Sequence, residues 1–514
     1  MLTRGGRTDY ACPMSNGAGQ SDQAGPTAYR GAPGWAAPVL TAIITMVIYG
    51  LSTNPEIGFH DSAELALRAS QPGASHSPGA PVHTLMGYLL TQLVGSPVAA
   101  TNLLSLLGGS LAAAIACLLL LVLGTGQVVA ISGALAFAFS FPVWGNAVVT
   151  ETYSLSMLFL GGSIFSALRW RESGHNKTLV ILTTIYGLAL GAHFANILLL
   201  PAFFYLVVAG RPEGFRNSCI FLSTLFVAVC LIAGANIALA SNVPSFGQAN
   251  PDSLAGLLKY MSGSEHDPLD ISGAGFYLDR ITQHALIFSR HYLYILIPAG
   301  FAGGYILARR DRVNSIFLAL VFALYMGYFT LFGAGDYYVM VGPAYLVFTL
   351  WVALAVDTLI RQNSRDFGKY AGLAVLPLVV VLFLVAQFPV RYAEAHSNRV
   401  SEYADESLNL FPENSIVVAK WGEFTVLNYY QQVSMRRPDI MIVLPARNRR
   451  HYLHGVVEDY WPFVVERICK QPVVTNKVTE ELESKFDMER LAVTSDWFQV
   501  VPKNTGGECV DSGP

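Results

Sequence analysis

Two acidic side chains lie in a polar stretch between the first two apolar segments of the chain. Asp61 and Glu64 are three residues apart, and on a helix this spacing places both carboxylates on one face. One could act as a general base or bind a metal while the other orients it. The pattern Asp-x-x-Glu is also typical of a helix start, where Asp61 would cap and Glu64 would reach back. The spacing alone leaves both interpretations open.

Two histidines and two prolines follow the acidic pair. His76 and His83 flank Pro78 and Pro81, and the prolines predict a rigid, non-helical start to the next apolar segment. Irregular backbone at membrane depth is tolerated where it lines a polar cavity. The alternative to such a cavity is a simple Pro-Gly turn.

Three further polar residues fall within apolar segments. Glu151 is predicted inside an apolar helix near its outer end, and an acid within a membrane segment indicates a functional site. His193 and Asn196 occur in a similar context. Polar residues that join helices to one another are common in membranes, so a packing role is the alternative for all three.

A cluster of cations is predicted at the outer start of a later span. Arg290 and His291 lie there, and Arg280 precedes them. A cation at this interface suits a lipid phosphate, and an ordinary interfacial anchor is the alternative. Asp336 and Tyr337 form a comparable group at another outer edge, where tyrosine usually belongs to the aromatic belt.

The charge distribution divides the chain into a membrane part and a tail of ordinary composition. The 514 residues are 53% hydrophobic and 13% charged, against about 25% charged in soluble domains. Residues 1–389 are about 9% charged and residues 390–514 about 26%. The net charge of -3 and the lack of a basic stripe give no indication of nucleic-acid binding. Residues 1–34, rich in Gly, Ser, Ala and Pro, are expected to be a disordered cytoplasmic tail.

Apolar segments long enough to cross a bilayer fill residues 35–389. They are about 36–52, 80–95, 98–123, 127–143, 146–168, 178–194, 196–210, 217–241, 285–308, 313–332, 338–360 and 369–389. The loops that carry Arg169, Arg211, Arg309 and Arg361 indicate the cytoplasmic side. The parity of these loops requires one short, re-entrant or fused segment between residues 80 and 168. We therefore predict about 11 spans, a cytoplasmic N-terminus, and an outward loop 53–80 and tail 390–514.

The tail is predicted to be a small extracytoplasmic α/β domain. Apolar strands near 415–419, 439–444 and 472–475 alternate with helical stretches at 423–432 and 451–468, which predicts a mostly parallel sheet. Cys469 and Cys509 are the two cysteines of the tail. In an oxidising compartment they could form a disulfide, and two free thiols are the alternative.

The motifs occur in an order that resembles a known family. The motifs follow one another along the chain in this order: residues 61–65, residues 76–81, Trp144, residues 151–155, His193 and residues 437–440. They resemble the GT-C glycosyltransferases, and more closely a large bacterial multi-pass family. The eukaryotic relatives of that family are O-mannosyltransferases acting on plexin-type receptors. The resemblance runs over most of residues 36–445.

The sequence departs from the usual pattern of that family at four positions. The family reads Gly-Asp-Ser-Gly-Glu and His-Pro-Pro-Gly-Tyr-Pro, whereas this chain has His60, Ala63, Ser77 and Ala80 at the changed positions. The two acids and the His-x-Pro-Gly-x-Pro frame are retained. The substitutions leave the chemistry in place and the identity of the sugar open.

The resemblance implies a mostly α GT-C helical bundle and an inverting transfer from a polyprenyl- or dolichyl-phosphate-linked sugar, with mannose as one candidate. Asp61 would be the general base and Glu64 its partner. Residues implied to bind substrate are His60, His76, His83, Trp144, Glu151, Tyr153, His193, Asn196, Asp336 and Tyr337. Those implied to hold the donor phosphate are Arg280, Arg290 and His291. A divalent metal stays an open alternative, with Asp61, Glu64 and Glu151 as its ligands.

The expected acceptor is a protein Ser or Thr hydroxyl, with a glycan or a lipid as alternatives. The expected location is a bacterial inner membrane, with membrane lipid and the lipid-linked sugar as partners. A transporter or flippase is the competing class, since polar residues within spans can also mark a transport pathway. A transporter often shows an internal repeat, which this sequence lacks.

Overall fold

The protein is an integral membrane protein built mainly of helices. A computed structural model describes residues 34–503 apart from 247–249, 264–273, 333–336, 363–365, 445–449, 453–454, 458–466 and 469. The helices are α1 (Ala36–Ser52), α2 (Asp61–Ser70), α3 (Pro81–Val94), α4 (Pro97–Val122), α5 (Gln127–Ala138), α6 (Phe141–Ala147), α7 (Thr152–Ser173), α8 (Asn176–Ala192), α9 (Leu200–Ala209), α10 (Gly214–Asn242), α11 (Leu254–Met261), α12 (Ala274–His291), α13 (Leu296–Arg310), α14 (Arg312–Leu331), α15 (Tyr337–Met340), α16 (Gly342–Gln362), α17 (Asp366–Ala395), α18 (Arg399–Leu410), α19 (Trp421–Val433) and α20 (Glu480–Lys485). A 3₁₀ helix, Phe194–Leu199, joins α8 to α9.

Five helices among the described residues are long and apolar enough to cross a membrane, and the number rises to seven if two bent pairs each form one span. Several of them expose large apolar side chains; in α10, Phe226 is 69% and Leu231 70% exposed. Such side chains are stable facing lipid rather than water. All twelve predicted apolar segments are helical, but the predicted count of about 11 spans is not confirmed.

Two of the predicted spans are bent rather than straight. α5 and α6 meet at 70°, and α12 and α13 meet at 89°. The first bend lies between residues 80 and 168, where a short or re-entrant segment was expected. The second bend contains Leu293 and Tyr294, both with positive φ, so Arg290 and His291 lie at a break between helices and not at the start of a straight span.

The predicted cationic loops meet at one end of the bundle. Arg171 pairs with Asp311, and Arg310 donates to Thr358 Oγ1 at 3.0 Å. Arg361 donates to the carbonyl of Gly124, at the end of α4, at 2.7 Å. At the other end of α4, Asn102 donates to Asn54 O in the loop after α1 at 2.7 Å. The 26 residues of α4, about 39 Å of helix, therefore separate the cationic loops from the loop that carries the acidic pair.

Small residues allow close contact between helices. A Cβ at Gly303 of α13 would lie 1.7 Å from Trp351 O of α16. Only glycine leaves room for this approach, as is common in membrane helix packing.

The tail forms one seven-stranded mixed sheet. The strands are β1 (Ile416–Val418), β2 (Met441–Leu444), β3 (Arg450–Tyr452), β4 (Gly455–Val457), β5 (Val473–Thr475), β6 (Phe486–Arg490) and β7 (Phe498–Pro502). Their order is β4-β3-β2-β1-β5-β7-β6. β1 pairs in parallel with β2 and β5, with Val417 opposite Ile442 and Val474, and the outer pairs are antiparallel.

The tail differs from its sequence-based prediction in two respects. The sheet is parallel only at its centre, because short hairpins extend it on both sides. The predicted helix 451–468 is wrong over its first part, where residues 450–452 and 455–457 form strands. Apolar residues such as Val456 and Val457 fit either element, and β-branched residues favour the strand.

The loop between α1 and α3 and the tail share one hydrophobic core. Ala63, Ala66 and Leu67 of α2 are fully buried and cluster with Phe424 and Leu427 of α19. At the edge of this contact, Ser401 donates to Glu56 Oε2 at 2.6 Å. The tail therefore packs directly on the loop that holds Asp61 and Glu64.

Candidate active site

Asp61 is the first residue of α2 and does not cap it. The preceding residue, His60, has φ 61° and ψ −129°, and its side chain makes no capping hydrogen bond. The Asp61 carboxylate instead contacts two side chains: Oδ1 accepts from Trp421 Nε1 at 2.8 Å, and Oδ2 lies 3.5 Å from His76 Nε2. The capping interpretation of this residue is wrong, because its carboxylate faces His76 and the tail.

His76 bridges the two acids. Its Nδ1 lies 2.5 Å from Glu64 Oε2, on the side of the ring opposite Asp61. Burial lowers the pKa of His76, but the Asp61 and Glu64 carboxylates outweigh burial and raise that pKa to about 10. At neutral pH both ring nitrogens therefore carry a proton, so an imidazolium lies between the two carboxylates.

Glu64 is completely buried and directed into the protein. Its side chain is 0% exposed, whereas that of Asp61 is 29% exposed. Arg68, one helical turn later and also buried, lowers the cost of burying this carboxylate. The Arg68 guanidinium donates to Pro244 O at 2.8 Å and stacks 4.1 Å from the centre of the Phe246 ring. Glu64 thus has a structural environment of its own and leaves Asp61 as the accessible acid.

The segment that carries His76 is non-helical and held by α11. Ser77 Oγ donates to Tyr260 O at 2.5 Å, and Tyr260 donates through its hydroxyl to Ser75 O at 2.8 Å. The Ser77–Pro78 peptide bond is cis, and α3 begins at Pro81. Pro78 thus lies in a braced turn and Pro81 starts α3, which agrees with the predicted non-helical entry to this segment.

The tail contacts the loop through the first two turns of α19. Thr425 Oγ1 donates to His60 O at 2.8 Å, and the His60 ring lies so close to Gly422 that a Cβ there would be 3.1 Å from it. The Trp421 ring meets His76 edge-on, with 5.6 Å between the centroids. The site is therefore closed on one side by residues of the tail.

The helical bundle contains a cavity of about 500 Å³, a volume that includes its open mouth. Its polar lining residues are Asn146, Tyr153, Ser154, Ser156, His193 and Tyr325. The Tyr153 and His193 rings pack with 5.1 Å between centroids, and His193 is within electrostatic range of His76 and Asp61. His193 on the cavity wall is therefore close enough to the acidic cluster for their charges to interact.

Glu151 lies near this site. The sequence predicts it inside a helix, and this prediction is wrong. It is the N-cap residue of α7 with an extended backbone, φ −149° and ψ 150°. Ser105 Oγ donates to Glu151 O at 3.1 Å and accepts from its N–H at 3.0 Å. Its charge acts on His76, so the break between α6 and α7 brings a third acid towards the cluster.

Three other predicted site residues are used in packing. Trp144 is buried and donates to Ser52 Oγ at 3.0 Å. The Asn196 amide donates to Ser156 Oγ and accepts from Tyr325, which is the expected pattern for a residue that joins helices. His83 is fully buried, and its ring nitrogens make no hydrogen bond among the described residues. A substrate contact by any of them stays a prediction.

The predicted phosphate-binding residues all lie on α12, which ends at the bend with α13. The Arg280 guanidinium lies 5.3 Å from the Phe276 ring, also on α12, and Arg290 is exposed. His291 lines a separate cavity of about 280 Å³ with Tyr292 and Phe383. Their role also stays a prediction. Asp336, the side chain of Tyr337, and both cysteines of the proposed disulfide, Cys469 and Cys509, lie outside the described residues.

The residues of the site do not form a metal site. Within the described part of the chain, no group of three or more His, Cys, Asp or Glu side chains could hold a metal ion. His76 lies between Asp61 and Glu64 and is bonded to the Glu64 carboxylate. It therefore occupies the position that a metal ion shared by the two acids would need. The set Asp61, Glu64 and Glu151 therefore does not fit a metal as it is arranged here.

Sequence reasoning missed Trp421 and the role of Arg68. Trp421 follows β1 at its carboxyl end, where open α/β sheets commonly place ligand-binding residues, and this position was a usable signal. Arg68 is four residues after Glu64, which is the spacing of a helical ion pair. Neither the position of Trp421 nor the spacing of Arg68 indicates which distant segment its side chain contacts.

Comparison with known proteins finds a match over the segment that carries Asp61, Glu64 and His76. Residues 61–214 match the family described as the protein O-mannosyl-transferase TMEM260 N-terminal domain. The chain is 22% identical over 258 residues to the protein O-mannosyl-transferase tmem260 of Dictyostelium discoideum, covering 46% of this chain and 31% of that protein. It is 30% identical over 138 residues to mouse TMEM260, covering 26% and 20%. The chain thus spans less than a third of the length of these relatives.

Solved structures share the fold over most of the chain. ArnT from Cupriavidus metallidurans, bound to undecaprenyl phosphate, matches with a TM-score of 0.58 and 13% identity over 94% of this chain and all of that one. The oligosaccharyltransferase AglB from Archaeoglobus fulgidus, in complex with an inhibitory peptide and a dolichol-phosphate, matches with a TM-score of 0.52 and 13% identity over 86% and 69%. The GT-C fold and the resemblance to O-mannosyltransferases predicted from the motifs are confirmed.

Proposed function

We propose that this GT-C-fold chain is a membrane glycosyltransferase that moves a sugar from a polyprenyl-phosphate-linked donor to an acceptor hydroxyl. The observation that carries the proposal is the accessible Asp61 carboxylate. It is held by His76 and Trp421 beside a cavity, at the first residue of the segment that matches the O-mannosyltransferase domain. The relatives' names support the reaction class, and the ligands of the structural neighbours support a lipid-phosphate donor.

In this reaction Asp61 is the general base. Its carboxylate takes the proton from the acceptor hydroxyl as the oxygen attacks the anomeric carbon of the sugar. The bond between that carbon and the phosphate oxygen breaks, and the polyprenyl phosphate leaves with the bonding electrons. Attack opposite the leaving group inverts the anomeric configuration. The His76 imidazolium keeps the Asp61 carboxylate oriented, and Glu64 keeps His76 in place.

The cavity beside the cluster is the proposed sugar pocket. Tyr153 and His193 supply a ring surface and polar atoms on its wall, a combination that suits a sugar with one apolar and several hydroxyl-bearing faces. Glu151 at the start of α7 is the proposed partner for a sugar hydroxyl. Mannose is the first donor sugar to test, because the curated relatives are named as mannosyltransferases.

The proposed acceptor is a Ser or Thr side chain of a protein, because the curated relatives are named as protein O-mannosyl-transferases. The proposed orientation has the cationic loops in the cytoplasm and the tail outside, in a bacterial inner membrane. The cationic loops lie at the end of the bundle opposite the site, which agrees with this orientation under the positive-inside rule.

In-vitro transfer with purified protein tests the proposal. Polyprenyl-phosphate mannose, glucose and arabinose derivatives are each offered with a Ser/Thr-rich peptide and with membrane extract, and products are identified by mass spectrometry. Transfer by the wild type and its loss in Asp61→Asn support the proposal. Solute uptake into proteoliposomes without transfer would favour a transporter.

A further inference from the structure

Trp421 of the tail is the direct neighbour of the acid that the proposed reaction depends on. Its indole N–H donates to Asp61 Oδ1 at 2.8 Å, although 360 residues separate the two in the chain. His76 lies against the other carboxylate oxygen at 3.5 Å. Each oxygen of Asp61 thus has a partner, one on the membrane part and one on the tail.

We infer that Trp421 is a positioning residue, which fixes the Asp61 carboxylate for proton abstraction and makes transfer depend on the docking of the tail. This inference rests on the proposed function. A carboxylate with one partner can rotate about its Cβ–Cγ bond, because terminal torsions of this kind are soft. A second donor on the other oxygen removes that freedom and aims the remaining lone pairs at the acceptor.

The placement of the indole is itself well defined. Trp421 stacks on Phe424, with 6.3 Å between centroids, and Phe424 meets Phe246 edge-on at 5.1 Å. Phe246 in turn supports Arg68, which lies one turn from Glu64 on α2. The rings therefore form a continuous packed row from the indole to the buried end of the acidic cluster.

The backbone next to Asp61 is fixed by the same helix. Thr425 Oγ1 donates to His60 O, and Gly422 leaves room for the His60 ring. His60 has a positive φ, a conformation that costs energy for a residue with a Cβ. The contacts from α19 hold this conformation and thereby the start of α2, so the tail sets both the backbone and the side chain of Asp61.

The Trp421→Phe variant isolates the indole N–H, because it keeps an aromatic ring. The matched control is Trp497→Phe, which removes an equivalent hydrogen bond, 3.0 Å to Ser407 Oγ, in the buried core of the tail. Trp421→Phe is expected to lower kcat about 10- to 100-fold with little change in the KM for donor. Trp497→Phe should leave kcat unchanged, and Trp421→His, which retains an N–H, should recover part of the rate.

A second measurement needs no activity. In protein with ¹⁵N-labelled tryptophan, the indole N–H resonance that disappears in Trp421→Phe should shift in Asp61→Asn, while that of Trp497 stays in place. Equal kcat for Trp421→Phe and Trp497→Phe, or an unshifted Trp421 resonance, would overturn the inference. Wild-type protein that transfers no sugar, together with a shifted Trp421 resonance, would instead contradict the proposed function and with it any catalytic use of this contact.

Discussion

His76 Nδ1 lies 2.5 Å from Oε2 of the fully buried Glu64. A buried carboxylate is stable only when it is paired and hydrogen-bonded, and a protonated histidine supplies both. The pairing also fixes the ring so that its other nitrogen faces Asp61. Two acids three residues apart thereby take different roles: Glu64 is enclosed and structural, and Asp61 is accessible for chemistry.

Replacing the enclosed acid should impair both stability and transfer. Glu64→Gln keeps the shape but removes the negative charge between His76 and Arg68. Breaking a buried charged contact costs about 3–5 kcal/mol when one partner is removed. The cost of Glu64→Gln should be smaller, because the amide can still form a hydrogen bond with His76. We expect a lower thermal midpoint in detergent and a fall in kcat of about 10-fold or more, since His76 loses its anchor.

The control for that variant is Glu172→Gln. Glu172 pairs with Arg169 at 2.5 Å on the opposite end of the bundle and is 26% exposed. Exposed pairs of this kind contribute about 0–1 kcal/mol, so neither midpoint nor rate should change appreciably. An equal effect of the two substitutions would show that the Glu64–His76 contact has no special role.

The stability of the loop should depend on pH through His76. The two carboxylates raise its pKa from 6.5 to about 10. A group whose pKa is raised on folding stabilises the folded state fully below its ordinary pKa and loses that effect as pH rises through the raised value. The thermal midpoint of the wild type should therefore exceed that of His76→Gln most at about pH 6.5, and the difference should shrink towards pH 10. A difference that is constant over this range would contradict the bridged imidazolium.

Much of the fold is readable from the sequence because membrane helices have strong local signals. Each of the twelve apolar segments becomes helical, and the three predicted tail strands appear as β1, β2 and β5, close to their predicted positions. The bends at α5–α6 and α12–α13 depend on packing between distant helices, and hydropathy carries no such information. The hairpin β3–β4 was missed because a short apolar run has no periodicity that separates strand from helix.

Part of the site was predictable because several of its residues are close together in the sequence. Asp61, Glu64 and His76 lie within sixteen residues, so their proximity follows from local spacing and from the ordered motifs. Trp421 approaches from the tail, and only the tertiary fold brings it to Asp61. Polar residues within the bundle could not be sorted by sequence. Asn196 proves to be bonded within the bundle, while His193 lines the cavity.

The shared core of loop and tail should couple tail packing to activity. Phe424 is buried between Trp421 and Phe246, so Phe424→Ala should destabilise the tail by about 3–5 kcal/mol. It should also loosen α2. Amide exchange measured by mass spectrometry should show faster exchange in residues 61–70, and transfer should fall.

Phe486→Ala separates this coupling from a general loss of tail stability. Phe486 is similarly buried, but in the second tail core, which contains no residue of the loop. Phe486→Ala should destabilise the tail, but the rate of amide exchange in residues 61–70 should not change. Equal exchange in the two variants would argue against direct support of the loop by Phe424.

The proposed phosphate contact of Arg290 can be tested by its effect on donor binding. Arg290→Gln removes an exposed cation at the break between α12 and α13. If this cation holds the donor phosphate, the KM for the lipid-linked sugar should rise about 10-fold or more, with the KM for acceptor unchanged. Arg216→Gln, an exposed cation at the start of α10, is the control. An unchanged donor KM would remove Arg290 from the site.

The most direct measurement is transfer by Asp61→Asn, compared with the wild type and with Glu172→Gln. Asparagine keeps the size of the side chain and can still accept the Trp421 hydrogen bond, but it cannot take a proton from the acceptor. We expect transfer from a polyprenyl-phosphate sugar to fall by about 10²- to 10⁴-fold, while donor binding stays near that of the Glu172→Gln control. Transfer by Asp61→Asn at the wild-type rate would contradict the assignment of Asp61 as the base.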